Sequence, residues 1–274
     1  MMRFIHVVVS SVGFRDPESN PDRWALLDQL LALAGRRRAQ LLVLPGGYLT
    51  AHDPPEMRRF IREVGRHVDR TGVAVIGGID LDRPQTKRTR NEDAAVQNGL
   101  LPFYGFATGP LTVQQPRSHP WRQTSTTNRN AGFVADEDLP GAERVVVLRQ
   151  TKVAVLICGE LFSERARTAM SRLGVALAVD LGHSGMGNGL VPAMRRLALD
   201  GGCAVAHAQH VGSTTGGIHF VNSTGAQHSV ALIANGLLRQ GNLWAGWTMR
   251  DVGQSRLVKA TPFPSNHDRI RAVR

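Results

Sequence analysis

Short, continuous apolar runs alternate with amphipathic helical segments along this chain, and no other feature restricts its fold so tightly. Runs of this kind, bounded by turn residues and lacking a polar face, mark strands buried on both sides in a parallel or mixed sheet covered by helices. The clearest succession lies in the second half. Arg144-Val145-Val146-Val147-Leu148 and, after a turn, Lys152-Val153-Ala154-Val155-Leu156-Ile157-Cys158 read as two strands. A helix opens at Ser163 with Phe162, Ala166, Met170 and Leu173 inward, Gly174 ends it, and Val175 to Leu181 is another buried strand. A further helix opens at Pro192, buries Met194 and Leu197, ends at Gly201-Gly202 and leads into Cys203-Ala204-Val205-Ala206.

The first half has the same grammar. Phe4 to Val9 is a strand, and Asn20 with Pro21 behind it reads as an N-cap with proline at the first helical position. Trp24, Leu27, Leu31 and Ala34 share a face until the helix ends near Gly35. Leu41-Leu42-Val43-Leu44 is a strand stopped by Pro45-Gly46-Gly47. Asp53-Pro54 caps a second helix with Met57, Phe60, Ile61, Val64 and Val68 inward, and Thr71-Gly72 closes it before the strand Val73 to Ile79. Residues 80 to 93 read as a polar surface loop and Ala94-Ala95-Val96 as strand-like. Residues 100 to 142, rich in Pro, Gly, Thr and Asn, read as a long irregular stretch of the sort that carries function. Neither a linker nor a repeat interrupts the pattern, so we expect a single α/β domain over 1–274 with a short tail from about residue 250.

Composition narrows the setting. No apolar stretch approaches the roughly 18 residues of a membrane span. The candidate N-terminal run follows a single Arg3, is interrupted by His6 and lacks a cleavage pattern, so it is a strand rather than a leader. Two cysteines, both in apolar surroundings, cannot frame a disulfide fold, which points to a reducing, cytoplasmic setting. Lys+Arg number 33 against 22 Asp+Glu, and only Lys87, Lys152 and Lys259 are lysines.

Cys158 stands at the end of a buried strand, before a glycine and a helix start, where α/β folds present groups to ligands. Around it, Leu41-Leu42-Val43-Leu44-Pro45, Leu139-Pro140-Gly141, Leu156-Ile157-Cys158-Gly159-Glu160 and Arg195-Arg196-Leu197-Ala198-Leu199-Asp200-Gly201-Gly202 recur in an order and spacing that resembles the nitrilase, or carbon–nitrogen hydrolase, superfamily. The resemblance runs from Phe4 to about Thr248. It implies a four-layer αββα sandwich with two mixed β-sheets, needing neither cofactor nor metal and commonly associating as a homodimer. It further implies cleavage of nonpeptide C–N bonds in amides or nitriles by a Glu-Lys-Cys triad, in which glutamate is the base, lysine stabilises charge and cysteine is acylated.

Carried over residue by residue, the resemblance places the nucleophile at Cys158, the missing glutamate at Gly46 and the lysine at Arg117 of Arg117-Ser118-His119-Pro120. Lys152 begins the strand that Cys158 ends, roughly 20 Å away at about 3.3 Å per residue. Arginine is a poor proton carrier, and an unassisted thiol with a pKa near 8.5 is only a few per cent thiolate at neutral pH. The expectation is therefore a noncatalytic member that binds a small molecule or a protein partner in a pocket with Gly159, Glu160 and His183. An amidase with a rebuilt proton relay is the alternative, with Asp53, Glu56 or Glu160 as candidate replacement carboxylates and His183 as a candidate acid–base group. On the first reading, Gly46→Glu with Arg117→Lys should awaken activity.

Other readings rank lower. Gly182-His183-Ser184-Gly185-Met186-Gly187 misses the serine-hydrolase elbow by one glycine. His207, His210, His219 and His228 lack metal-site spacing, and His207 and His210 should point to opposite faces of a strand. Arg58, Arg62, Arg66 and Arg70, with Arg36-Arg37-Arg38 and Lys87-Arg88-Thr89-Arg90 nearby, form a basic field able to hold phosphates, but aromatic interleaving is missing at 5% aromatics.

Overall fold

In the computed structural model the described residues are 1–82, 103–113, 120–124, 140–183, 187–212, 217–232 and 236–253. The strands are β1 (Met2–Ser10), β2 (Leu41–Val43), β3 (Leu49–Ala51), β4 (Ala74–Leu81), β5 (Phe103–Thr108), β6 (Thr112–Val113), β7 (Trp121–Arg122), β8 (Val145–Leu148), β9 (Thr151–Ile157), β10 (Leu177–Leu181), β11 (Ala204–Val211), β12 (Gly217–Val221), β13 (Gln227–Ala231), β14 (Leu237–Gln240) and β15 (Leu243–Val252). The helices are α1 (Asn20–Arg36), α2 (Pro54–Thr71), α3 (Glu164–Ser171) and α4 (Leu190–Gly201).

Three apolar clusters separate four layers. One lies between α1 and α2 and the outer face of β1, β2 and β4, with Leu26, Leu30, Ile61 and Val64 against Ile5, Val7, Leu42 and Val75. A second fills the space between two sheets, with Phe4, Val43 and Ile76 facing Val155, Val179 and Ala206. A third packs α3 and α4, through Met170, Met194 and Leu197, on Ala154, Ala178 and Val205. Alternate residues of one strand serve alternate clusters, as the period of two requires. This is the αββα arrangement with mixed sheets.

β1 joins the halves. It runs parallel to β2 over Phe4 to His6, then to β11 over Val8 to Ser10, while β15 lies antiparallel along its other edge. The first sheet continues from β2 to β4 and β5, and the second from β11 to β10 and β9. Because β1, β2, β4, β9, β10 and β11 are mutually parallel, their C-terminal ends open toward the same region.

Several local expectations change. Asn20 is not the cap of α1; its side chain bridges to β3, donating to Thr50 O at 2.7 Å and accepting from Thr50 N at 3.1 Å. Asp53 does cap α2, accepting from Glu56 N at 2.7 Å. Asp80 belongs to β4 rather than to a surface loop, and is fully buried. The stretch 100 to 142 contains β5, β6 and β7, because Phe103 to Thr108 pairs along β4. Val252 still pairs with Met2, and the expected tail beyond residue 253 lies outside the described residues. Arg62, Arg66 and Arg70 are exposed on α2 opposite its buried stripe, with Glu63 and Asp69 among them. Ala94-Ala95-Val96 lies outside the described residues. Among the described residues, no helix is long and apolar enough to cross a membrane.

Candidate active site

Cys158 follows the last residue of β9 and opens a short 3-10 turn, Cys158–Phe162, with a φ of +50°. A non-glycine residue stays at positive φ only where its surroundings hold it there. Glu160 supplies that hold. Its carboxylate accepts from Ile157 N at 2.8 Å, from Thr124 N at 2.7 Å, and from both terminal nitrogens of Arg144 at 3.1 and 3.2 Å. Burial pushes the Glu160 carboxyl up and Arg144 opposes it. With both oxygens engaged, Glu160 fixes the turn that presents the sulfur, and Gly159 is buried backbone within that turn.

The space left at Gly46 is filled by an imidazole. A Cβ on Gly46 would lie 2.5 Å from Cε1 and 2.7 Å from Nδ1 of His183. His183, two residues past β10, is buried, and its Nε2 meets Asp80 Oδ1 at 2.9 Å. The other Asp80 oxygen accepts from Arg15 Nε at 3.3 Å. Phe103 stacks on the imidazole with ring centroids 3.7 Å apart. With Nε2 on Asp80, Nδ1 is the nitrogen left for the sulfur. It is buried without a partner in regular hydrogen-bond geometry, and the nearby Cys158 is among the groups that hold the ring's proton. Catalytic pairs in unliganded sites often sit looser than in the substrate complex.

The electrostatics follow from these contacts. Burial alone would lower the His183 imidazole, but the Asp80 carboxylate, aided by the Cys158 sulfur, raises it to about 9. Burial alone would raise Asp80; His183 and Arg15 outweigh that and hold its carboxyl below the ordinary range. Around this pair the backbone closes tightly. Gly46 N donates to Gly182 O at 3.1 Å, and His210 Nε2 meets Gly46 O at 3.0 Å. Gly78 approaches so closely that a Cβ there would lie 2.5 Å from the Gly46 α-carbon.

A second Asp–His pair lies one strand away. His207 Nδ1 meets Asp180 Oδ2 at 2.7 Å, and His207 Nε2 meets Gln209 Oε1 at 3.2 Å. A Cβ on Gly182 would lie 2.3 Å from His207 Cε1, so this ring packs against the residue before His183. His207 and Gln209 share a strand face, while His210, on the other, reaches Gly46.

Of the residues expected from sequence, Cys158, Gly46 and His183 converge. Arg117 lies outside the described residues, as do Ser184 and Met186. Asp53 and Glu56 are occupied at the start of α2, where Glu56 accepts from His52 N at 2.8 Å. Asp80 and Arg15 escaped the sequence reading. The available signals were an acidic residue ending an apolar strand run and the glycine pairs Gly46-Gly47 and Gly77-Gly78, which together leave room for a ring.

The sequence profile of the family described as carbon-nitrogen hydrolase matches residues 9–227. Among solved structures, the chain resembles the amidase from Nesterenkonia sp. AN1 with a TM-score of 0.60 and 16% identity, over 90% of this chain and 92% of that one. A glutamate-to-glutamine mutant of that amidase, showing Michael addition of acrylamide at the active site cysteine, gives 0.59 and 16% over the same shares. A cysteine-to-alanine mutant in complex with butyramide gives 0.60 and 16%, over 90% of each chain. No curated protein is significantly similar in sequence.

Proposed function

This chain belongs to the carbon–nitrogen hydrolase family, and from that premise we propose that it hydrolyses the C–N bond of small amides through Cys158, with His183 and Asp80 in place of the family glutamate. The observation that carries the reading is the His183 ring lying within 2.7 Å of where a Gly46 side chain would begin, with Asp80 behind it. Such an arrangement is that of a nucleophile, a base and an orienting acid.

In the proposed reaction the thiol proton rests on His183 Nδ1, giving an imidazolium–thiolate pair from which the sulfur attacks. The sulfur's electron pair forms a C–S bond to the carbonyl carbon while the C=O pair moves to oxygen. Collapse of that intermediate breaks the C–N bond, and the nitrogen leaves with the proton from His183, as ammonia or an amine. Water then adds to the thioester carbon, giving a proton to His183; collapse of this second intermediate breaks the C–S bond, and the carboxylic acid leaves as the sulfur regains its proton from His183. Asp80 keeps the imidazole in the orientation and tautomer this requires. General-base assistance of this kind contributes about a hundredfold to ten-thousandfold.

The noncatalytic reading rests on Gly46 and on the placement of the three lysines, and it predicts no turnover. The two separate on ammonia release over a panel of amides and nitriles, measured for the native protein, Cys158→Ala and His183→Gln. We expect release from the native protein, none from the first variant and at least a hundredfold less from the second. No release from any substrate, with Cys158 alkylated no faster than free cysteine, would establish the noncatalytic reading. The double change Gly46→Glu with Arg117→Lys should not raise activity, because any Cβ at 46 meets the His183 ring and lies 2.6 Å from Leu181 O.

A further inference from the structure

Charge is sorted between the two ends of the sandwich. Each of the four helices carries the chain from the end of one parallel strand back toward the start of the next, so all four finish where those strands begin, away from Cys158 at the end of β9. That starting end exposes Arg36, Arg37 and Arg38 at the close of α1, Arg70 in the last turn of α2, Arg149 in the β8–β9 turn and Lys152 at the start of β9. Asp69, Asp200 and Asp251 stand among them, and Asp251 is tied to Arg3 at 3.0 Å. The chain leaves β15 at this same end, and the sequence of residues 254–274 that follows carries Arg256, Lys259, Arg269, Arg271 and Arg274 against Asp268. The end that holds Cys158 and His183 instead carries Asp16, Glu18, Asp53, Asp82 and Glu164.

Cations in a last helical turn complement the helix dipole, which accounts for Arg36 and Arg70. It does not account for Arg38, Arg149 or Lys152, which lie outside the helices. Arg38 stands at a φ of +54° and Arg149 at +46°, with Gln150 at +70° beside it, in the left-handed region where Asn or Gly is the usual occupant. Arginine thus holds these positions against the backbone preference, and its planar fork fits phosphate oxygens in pairs. Trp247 is buried beneath the Arg37 guanidinium, 5.5 Å from its ring centroid, and offers bases no open face to stack on. Among the described residues the exposed large hydrophobics are Met1, Val12 and Leu199, too few to anchor a face in a bilayer. Cations without rings engage phosphates rather than bases.

We propose that the end of the sandwich where the parallel strands begin binds the phosphate backbone of a nucleic acid without reading its sequence, and that the acidic opposite end holds Cys158 away from it. A field divided in this way orients the approaching protein, since a polyanion attracts one end and repels the other. The inference is independent of turnover at Cys158.

The test is fluorescence anisotropy of a labelled single-stranded RNA and a labelled DNA duplex, each of mixed sequence, titrated with the full chain over a salt series. Affinity should fall by about fiftyfold or more between about 50 and 200 mM salt, the response to about four phosphate contacts. Arg36→Gln with Arg38→Asn should reduce the steepness of the log–log salt slope by about two, and Arg149→Asn by about one. Asparagine suits the positive φ at 38 and 149, so the fold is kept. Arg165→Gln, in the first turn of α3 at the acidic end, should leave the slope unchanged. Saturating RNA should leave the alkylation of Cys158 by iodoacetamide at its free rate. No binding at about 50 mM salt, a slope reduced as much by Arg165→Gln as by the Arg36 and Arg38 pair, or slowed alkylation overturns the proposal. Tighter binding to phosphatidylserine vesicles than to either nucleic acid also overturns it, and assigns the face to a membrane surface.

Discussion

Two buried Asp–His pairs lie within one strand of each other, and they behave differently for reasons visible in their surroundings. Asp80 holds His183 at 2.9 Å and has a second cation, Arg15, on its other oxygen; its carboxyl is depressed and the imidazole is raised to about 9. Asp180 holds His207 at 2.7 Å, but its second oxygen is buried without a partner, and burial raises its carboxyl against the pull of His207. The sealed pair has Gln209 on the far nitrogen of the ring and supports the backbone at Gly182. The open pair has the Cys158 sulfur nearby. On the proposed reading, an Asp–His pair is a structural brace or a proton relay according to what the free imidazole nitrogen meets.

The contrast breaks most readily on the rings themselves. His183→Gln should lower kcat/KM by about a hundredfold to ten-thousandfold. His207→Gln should instead lower the unfolding free energy by about 1–3 kcal/mol while turnover stays within a few-fold. Equal kinetic losses would mean that both pairs serve the chemistry.

Next in size is the pH dependence of stability. Between pH 6.5 and about 9 folded His183 keeps a proton that the unfolded chain has released, so stability should fall as pH rises through that window. A 2.5-unit difference between those two values corresponds to about 3 kcal/mol at most. Below 6.5 the slope reverses, because His6 and His210, lowered by burial to about 3, stay neutral in the fold while the unfolded chain binds protons. Denaturant midpoints should therefore peak near pH 6.5, and His183→Gln should flatten the alkaline side only.

Smaller effects come from the glycines that admit each ring. Gly46→Ala and Gly182→Ala should each cost about 1–3 kcal/mol through overpacking, but only the first should also slow alkylation of Cys158, since it displaces His183. Last, the alkaline limb of kcat/KM should fall near pH 9 in the native protein. Asp80→Asn should bring it down by roughly one to two units, and Asp180→Asn should leave it in place.

How much of this the sequence discloses depends on distance along the chain. Strands such as Val153 to Ile157 and the Asp53 cap are local patterns, governed by periodicity and by a side chain reaching three residues ahead, and they appear as read. Cys158 is legible because its strand and its glycine neighbour are contiguous. The Arg15–Asp80–His183 cluster is not, because its parts come from β4, from beyond β10 and from the β1–α1 loop, and only the register of the sheets brings them together. Gly46 taken alone looks like a deficit. Beside His183 it becomes clearance, a distinction set by a residue 137 positions away that no local pattern encodes. Asn20 shows the same effect in miniature, as its expected capping role yields to a bridge with Thr50 across the fold.

β1 trades one neighbour for another partway along its length, from β2 to β11, and thereby stitches the two sheets along a seam. Asp80 belongs to one side of that seam and Cys158 and His183 to the other. The contact between Asp80 and His183 therefore exists only while the halves are registered, which makes the proposed activity a fuse for the whole sandwich: a slip between the sheets would part the pair long before the chain unravelled.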